Sequence, residues 1–189
     1  TGAKCHPDGF PIVITWVNSN TQEETWMGVY AWNLKKSKEV YNCDKKKAEN
    51  IILDGNINAT TLWGGKIDWS QFEIRNPKSL IDIDGNKYDG DNPKELSNTD
   101  SNSKKVKDYL LRFSKAMSEI KASTSKEKFE EYFAVSPMID WFLMNQVLYN
   151  IDGIDRNTIW CSYNGKTIIP TLYDVDSIFG NHPSGLFVI

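Results

Sequence analysis

The sequence has few of the residues that build disulfide frameworks and nitrogen- or sulfur-ligated metal centres. It contains two histidines and three cysteines in 189 residues. Cys5, Cys43 and Cys161 lie far apart and show no CxxC spacing, so we interpret them as separate thiols. His6 and His182 lie at opposite ends of the chain. No Ser/His/Asp or Cys/His catalytic arrangement can be argued from this composition.

Long apolar runs and a strong net charge are also missing. No run of about 18 apolar residues occurs, and residues 1–10 lack the zones of a signal peptide. We therefore expect a soluble domain with no membrane segment. The net charge of −3 is too mild to predict nucleic-acid binding, which needs a clearly basic face.

The length and the apolar content favour one domain over residues 1–189, because 40% hydrophobic residues can fill one substantial core. The chain starts without Met and ends on the apolar residues Leu186–Ile189. We expect it to be a piece of a longer polypeptide or assembly. The sequence does not determine the cellular compartment of the protein.

The first half is rich in strand-forming residues. Pro11–Asn18 and Glu24–Asn33 predict a β-hairpin, because both are rich in β-branched and aromatic residues and a polar stretch separates them. Asn50–Asp54 and Trp69–Asn76 predict further strands, the second ending before Pro77. Together these segments predict a sheet in the first half.

The middle of the chain has helical patterns. A long helix is predicted by apolar residues that recur at three and four positions, namely Val106, Tyr109, Leu110, Phe113, Met117 and Ile120. Ser125 is expected to cap a shorter helix that ends near Phe133, and Ser136 to cap a third helix over Met138–Tyr149. This third helix is unusually polar, and one interpretation places three residues on its exposed face: Asp140, Asn145 and Gln146.

A second hairpin is predicted near the C-terminus. Thr158–Tyr163 and Lys166–Asp174 have strand composition, and the two residues Asn164 and Gly165 between them suit a type I′ turn. The fold class expected from these patterns is α+β, with a strand-rich N-terminal half, a helical middle and a C-terminal β-hairpin that carries the site.

Four polar residues around this hairpin form a candidate site. Asp152 and Asn157 are five residues apart, the interval between acid and amide in the kinase catalytic-loop pattern H-R-D-x-x-x-x-N. Asp174 and Asp176 end the returning strand, so both arms are expected to bring oxygen ligands to one end of the hairpin. Two carboxylates on one strand face repel each other unless a cation lies between them.

These residue types suit phosphoryl transfer. Mg²⁺ prefers carboxylate and amide oxygens, which Asn157 with Asp174 or Asp176 would supply. A separate carboxylate, Asp152, would orient the acceptor hydroxyl and take its proton. The alternative is ordinary loop chemistry, because an Asp before Gly, an Asn at a turn and a D-x-D at a strand end are each common in loops.

The C-terminal motifs resemble those of the CotH (spore coat protein H) kinase family. The family's N-x-D corresponds to Asn150–Asp152, its strand-entering Asn to Asn157–Trp160, and its [W/Y]-D-x-D-x-x-[F/W]-G ending to Tyr173–Gly180. Weaker similarities to the family's N-terminal motifs lie at Gly9–Ile12 and Gly28–Tyr30. The middle of the chain resembles the family only in its predicted helices.

The resemblance implies a kinase-like fold and transfer of phosphate from ATP, with Mg²⁺ or Mn²⁺, to Ser or Thr hydroxyls of a protein acceptor. It implies that Asp152 is catalytic and that Asn157, Asp174 and Asp176 bind the metal. The family's R-G-x-S-[ST] and lysine-rich strands are not in this sequence, which makes it incomplete relative to the family. Arg156, or a lysine of Lys35–Lys38, would have to hold the nucleotide phosphates instead.

Two other functions remain open. Related domains are found in phage virion and bacterial surface proteins, so a non-catalytic module could bind a partner or glycan through exposed aromatic residues, with Trp16, Trp26, Trp32 and Trp63 as candidates. A metal-dependent phosphoester or glycan hydrolase is disfavoured, because no histidine ligands accompany the acidic residues. Spore, cell-surface or virion association is an expectation of the resemblance alone.

Overall fold

A computed structural model describes most of the chain, and every structural statement below refers to these residues: 10–32, 40–55, 67–122, 125–150, 153, 157–173 and 178–180. They form an α+β fold with two antiparallel sheets and three helices. The strands are β1 (Phe10–Val17), β2 (Glu24–Trp32), β3 (Ile51–Gly55), β4 (Phe72–Asn76), β5 (Thr158–Ser162) and β6 (Ile169–Leu172). The helices are α1 (Ser101–Ala122), α2 (Lys126–Tyr132) and α3 (Val135–Val147). In this part of the chain, no helix combines the length and hydropathy needed to cross a bilayer.

The first hairpin, β1 with β2, is confirmed close to its predicted bounds. The strands pair antiparallel from Phe10 opposite Trp32 to Val17 opposite Glu24. A bulge interrupts the ladder beside Gly28, whose φ of 117° lies in a region that side chains disfavour. Glycine is therefore suited to this position in the strand.

The first-half strands do not form one sheet, so that prediction is wrong. β1 and β2 make a separate two-stranded sheet, while the second sheet has the order β4-β3-β5-β6. β3 pairs antiparallel with β5, placing Leu53 opposite Trp160. The C-terminal hairpin is thus an integral half of the main sheet, since its first strand lies between β3 and β6.

The main core lies between this sheet and α1. Val106, Tyr109, Leu110 and Phe113 are all buried, as their helical spacing predicts. The ring of Phe113 packs against Trp160 of β5 with centroids 4.9 Å apart. Burying a large apolar side chain of this kind stabilises the fold by about 1.5–3 kcal/mol. The opposite face of β5 packs into a second, smaller cluster, so the strand is covered on both sides.

Two predicted boundaries are wrong. Trp69 to Gln71 form a 3₁₀ turn in which the Asp68 carboxylate accepts from Ser70 N, and β4 begins only at Phe72. The third helix begins at Val135 instead of Met138, and no side chain caps it. Its early start is possible because Pro137 lies in the first turn, where backbone N–H groups have no intrahelical acceptor.

The predicted type I′ turn is also wrong. That turn requires positive φ at both central residues, but of the pair only Gly165 has it, at 68°. The Asn164 side chain instead accepts hydrogen bonds from the backbone N–H groups of Lys166 and Thr167, at 2.9 and 2.8 Å. This Asx-type geometry makes a wider loop, and β6 begins at Ile169.

Candidate functional site

The open end of the β5–β6 hairpin brings Asn157 next to Tyr173, the residue before Asp174 in sequence. Thr158 pairs with Leu172 at the end of the ladder, and the next residue, Tyr173, donates its N–H to Asn157 O at 3.1 Å. Asn157 is half-buried at this point. The residue that directly precedes Asp174 in sequence is therefore hydrogen-bonded to Asn157.

A second contact lies beyond the acidic pair. Phe179 N donates to Leu148 O, one residue past the end of α3, at 2.6 Å. Residues 174–177 are thus bounded on one side by a contact to Asn157 and on the other by a contact to Leu148. Leu148 and Asn157 also bound the chain segment that carries Asp152.

The other predicted site residues lie outside the described part of the chain. Asp152, Arg156, Asp174 and Asp176 fall in segments whose structure is not described, as does the lysine-rich stretch Lys35–Lys38. Their roles stay predictions. Among the residues that are described, no group of three or more His, Cys, Asp or Glu side chains is arranged to hold a metal ion.

A pair of buried amides joins the end of α3 to a residue that follows it. Asn145 and Asn150 are only 2% and 4% exposed. Asn145 Nδ2 donates to Trp141 O at 2.9 Å, and its Oδ1 accepts from Asn150 Nδ2 at 3.0 Å. The interpretation that Asn145 lies on the exposed face of its helix is therefore wrong, whereas Gln146 is exposed and Asp140 half-buried.

Gly153 packs directly onto this amide pair. A methyl group at its Cα would overlap Asn145 Oδ1 and Asn150 Nδ2. Gly153 N donates to Asn150 O at 3.3 Å, so these two residues are also joined through the backbone. A residue without a side chain is needed here because of close packing.

A hydroxyl group connects Gly153 to the sheet. Thr158 Oγ1 of β5 accepts from Trp141 Nε1 of α3 at 2.9 Å and donates to Gly153 O. Trp141 in turn packs on Trp160 with ring centroids 5.7 Å apart. Helix α3, the turn at Gly153 and strand β5 are therefore joined by one buried polar group.

Comparison with known proteins bears on what this arrangement is for. A family model described as CotH kinase protein matches residues 26–184. This chain belongs to the CotH kinase family. A comparison with curated proteins gave no match. The CotH match confirms the resemblance inferred from the motifs, and it covers the sequence positions of all five predicted site residues as well as the β5–β6 hairpin.

Sequence reasoning missed the buried polar residues around the CotH motif. Trp141 and Asn145 are four residues apart, so they share one face of α3, and this spacing next to a buried tryptophan was a signal that Asn145 is buried too. Gly153 and Thr158 carried no such signal, because their contacts depend on how α3 and β5 meet.

One polar atom of the N-x-D motif, Asn150 Oδ1, is buried without a hydrogen bond among the described residues. An unsatisfied buried acceptor costs about 1–3 kcal/mol. Asn150 is the Asn of the N-x-D motif and lies two residues before Asp152 in sequence.

Proposed function

We propose that this chain is a kinase-like domain that transfers phosphate from ATP, with Mg²⁺ or Mn²⁺, to Ser or Thr hydroxyls of a protein acceptor. The observation that carries the proposal is the pair of backbone hydrogen bonds from Tyr173 to Asn157 and from Phe179 to Leu148. They tie both ends of the acidic D-x-D segment to the flanks of the segment that carries Asp152. Membership of the CotH kinase family supports a kinase-like function at the coarser level.

The proposed metal site consists of Asn157, Asp174 and Asp176. An all-oxygen donor set of one amide and two carboxylates suits Mg²⁺, which is a hard cation and keeps several water ligands. Consecutive Cα atoms are about 3.8 Å apart, so Asp174 is on a short tether from the Tyr173 N–H that bonds to Asn157. This tether supports a shared ligand set. When bound, the ion supplies positive charge that offsets the charge of the nucleotide phosphates.

The remaining roles fall to residues before the hairpin. Asp152 orients the acceptor hydroxyl and accepts its proton, because a carboxylate that does not bind the metal is needed for that task. Arg156 contacts the nucleotide phosphates, as a guanidinium suits phosphate oxygens. The acceptor is a protein, and the domain acts within a larger polypeptide or within a spore, cell-surface or virion assembly.

Transfer of label from ATP to a serine-rich protein tests the proposal. We expect Mg²⁺-dependent transfer by the wild type, and we expect Asp152→Asn to keep nucleotide binding while losing transfer by about 100-fold or more. Asp91→Asn is the matched control, since Asp91 is an exposed acid in a different loop.

Two results would contradict this account. Absence of metal-dependent transfer by the wild type would remove the kinase proposal. Equal transfer by Asp152→Asn and Asp91→Asn would remove Asp152 from the role of base.

One observation favours a second candidate function, a binding module. The β1–β2 hairpin exposes large aromatic side chains, with Trp16 56% exposed, Trp26 68% and Tyr30 45%. Exposed aromatic rings are frequent contacts for protein partners and for sugar rings. The other two candidate tryptophans cannot be added to this surface, because the side chain of Trp32 and the whole of Trp63 lie outside the described residues.

Tryptophan fluorescence provides the test of this second function. Titration with a panel of soluble glycans is expected to change the emission of the wild type and to leave that of a Trp16→Ser/Trp26→Ser variant unchanged. An unchanged wild-type spectrum across the panel would remove glycan binding by this surface.

A further inference from the structure

Asn145 is a polar residue in a position that favours apolar ones. It lies on the buried face of α3, four residues after Trp141, and is 2% exposed. Burying an amide is costly unless its donor and its acceptor are both used. Both are used here, since Nδ2 donates to Trp141 O and Oδ1 accepts from Asn150 Nδ2.

The contacts of Asn145 converge on one short segment. Asn150 is bonded to Asn145 twice, through its side-chain Nδ2 and through its backbone N–H, which donates to Asn145 O at 2.9 Å. Gly153 packs so closely on Asn145 Oδ1 that no side chain fits between them. Asp152 lies between Asn150 and Gly153 in sequence, so a single side chain of α3 contacts residues on both sides of it.

We propose that Asn145 is a positioning residue of the phosphoryl-transfer site, holding Asn150 and Gly153, the described residues on either side of Asp152 in sequence, in fixed positions. This inference rests on the proposed function for its catalytic consequence. Small displacements of a reacting group cause large losses of rate, so a residue that limits them affects turnover without touching the substrate.

The shape and polarity of the position favour asparagine over its relatives. Leucine has a similar size but neither donor nor acceptor, so Asn150 Nδ2 would lose its partner. Glutamine is one methylene longer and would have to enter space that Gly153 already fills. Serine retains a hydroxyl in a smaller volume, which makes it the mildest polar replacement.

The test compares Asn145→Leu with Gln146→Leu. Both changes replace an amide by the same apolar side chain on neighbouring positions of α3, but Gln146 is exposed. Amide hydrogen exchange is measured for peptides that cover residues 150–158 and, as an internal reference, for peptides of α1. Transfer of phosphate is measured as a function of ATP concentration for the same proteins.

We expect Asn145→Leu to speed exchange in residues 150–158 by about tenfold or more and to leave α1 unchanged, because the effect is local. We expect its kcat to fall by about tenfold or more while KM for ATP changes less than about threefold, since the proposed metal ligands are not altered. Asn145→Ser is expected to lie between Asn145→Leu and the wild type in both measurements. Gln146→Leu is expected to match the wild type.

Several results would overturn the proposal. Exchange in residues 150–158 equal to that of Gln146→Leu would show that Asn145 does not hold this segment. A uniform rise in exchange that includes α1 would show a purely structural role. If the wild type transfers no phosphate, the proposed function fails by itself, and the exchange measurement still decides whether Asn145 holds the segment. If Asn145→Leu does not fold, Asn145→Ser decides the same question.

Discussion

Replacing Thr158 by valine removes the hydroxyl that joins α3, the turn at Gly153 and strand β5. Thr158 is 2% exposed, and valine has nearly its shape, so the main change is the loss of two hydrogen bonds. The indole N–H of Trp141 loses its acceptor and the carbonyl of Gly153 loses its donor. Each buried group left without a partner costs about 1–3 kcal/mol, so the expected loss in the free energy of unfolding for the two groups is about 2–6 kcal/mol.

Urea denaturation followed by circular dichroism measures this loss. With a slope of about 2 kcal/mol per molar urea, the midpoint is expected to fall by about 1–3 M. Thr171→Val is the matched control, because Thr171 of β6 is equally buried, and within the described part of the chain its hydroxyl makes no hydrogen bond. Its expected loss is below about 0.5 kcal/mol. Equal losses in the two variants would refute the reasoning, because they would show that burial and not the hydrogen bonds sets the cost.

Three further predictions concern the core, the helix pair and the first hairpin. Phe113→Ala is expected to lower the free energy of unfolding by about 3–5 kcal/mol in the same urea assay, whereas Leu111→Ala, which alters a half-exposed side chain of α1, is expected to cost less than about 1 kcal/mol. Hydrogen bonding from Lys128 lowers the pKa of Glu119 to about 2, so its stabilising effect is present above its usual pKa near 4.5 and is lost as the pH falls through about 2. Glu119→Gln is therefore expected to lower the melting temperature at pH 6, and the difference from wild type should shrink as the pH approaches 2; a difference that does not change with pH would contradict this. Trp26→Ser is expected to change the free energy of unfolding by less than about 0.5 kcal/mol, because the side chain is 68% exposed, and a larger loss in the urea assay would show that it packs on the fold.

Features that depend on neighbouring residues were the ones that the sequence predicted well. The helical spacing of Val106, Tyr109 and Phe113 predicted α1 and its buried face, because the period of a helix is a local property. The meeting of Asn157 with Tyr173 was predictable for the same reason, since a hairpin brings the start of its first strand to the end of its second. The family motifs then indicated a function for this end of the hairpin.

Features that depend on one specific strand pairing or side-chain hydrogen bond were missed, whether the partner is distant or near in sequence. The pairing of Leu53 with Trp160 joins strands from opposite halves of the chain, and no local pattern indicates such a partner. Asn145 was placed on the exposed face because amides are mostly exposed, whereas the hydrogen bonds that permit its burial come from Trp141 and Asn150. Asn164 failed the turn prediction because its side chain accepts backbone hydrogen bonds in an alternative geometry.

The proposed function requires the open end of the C-terminal hairpin to hold a divalent ion together with a nucleotide. Titration of Mn²⁺ followed by electron paramagnetic resonance, in the presence of a non-hydrolysable ATP analogue, counts bound ions directly. We expect the wild type to bind Mn²⁺, and we expect Asn157→Ala and Asp176→Ala each to weaken binding by about tenfold or more, because each removes an oxygen ligand. Wild-type affinity in both variants, or no binding by the wild type, would contradict the account.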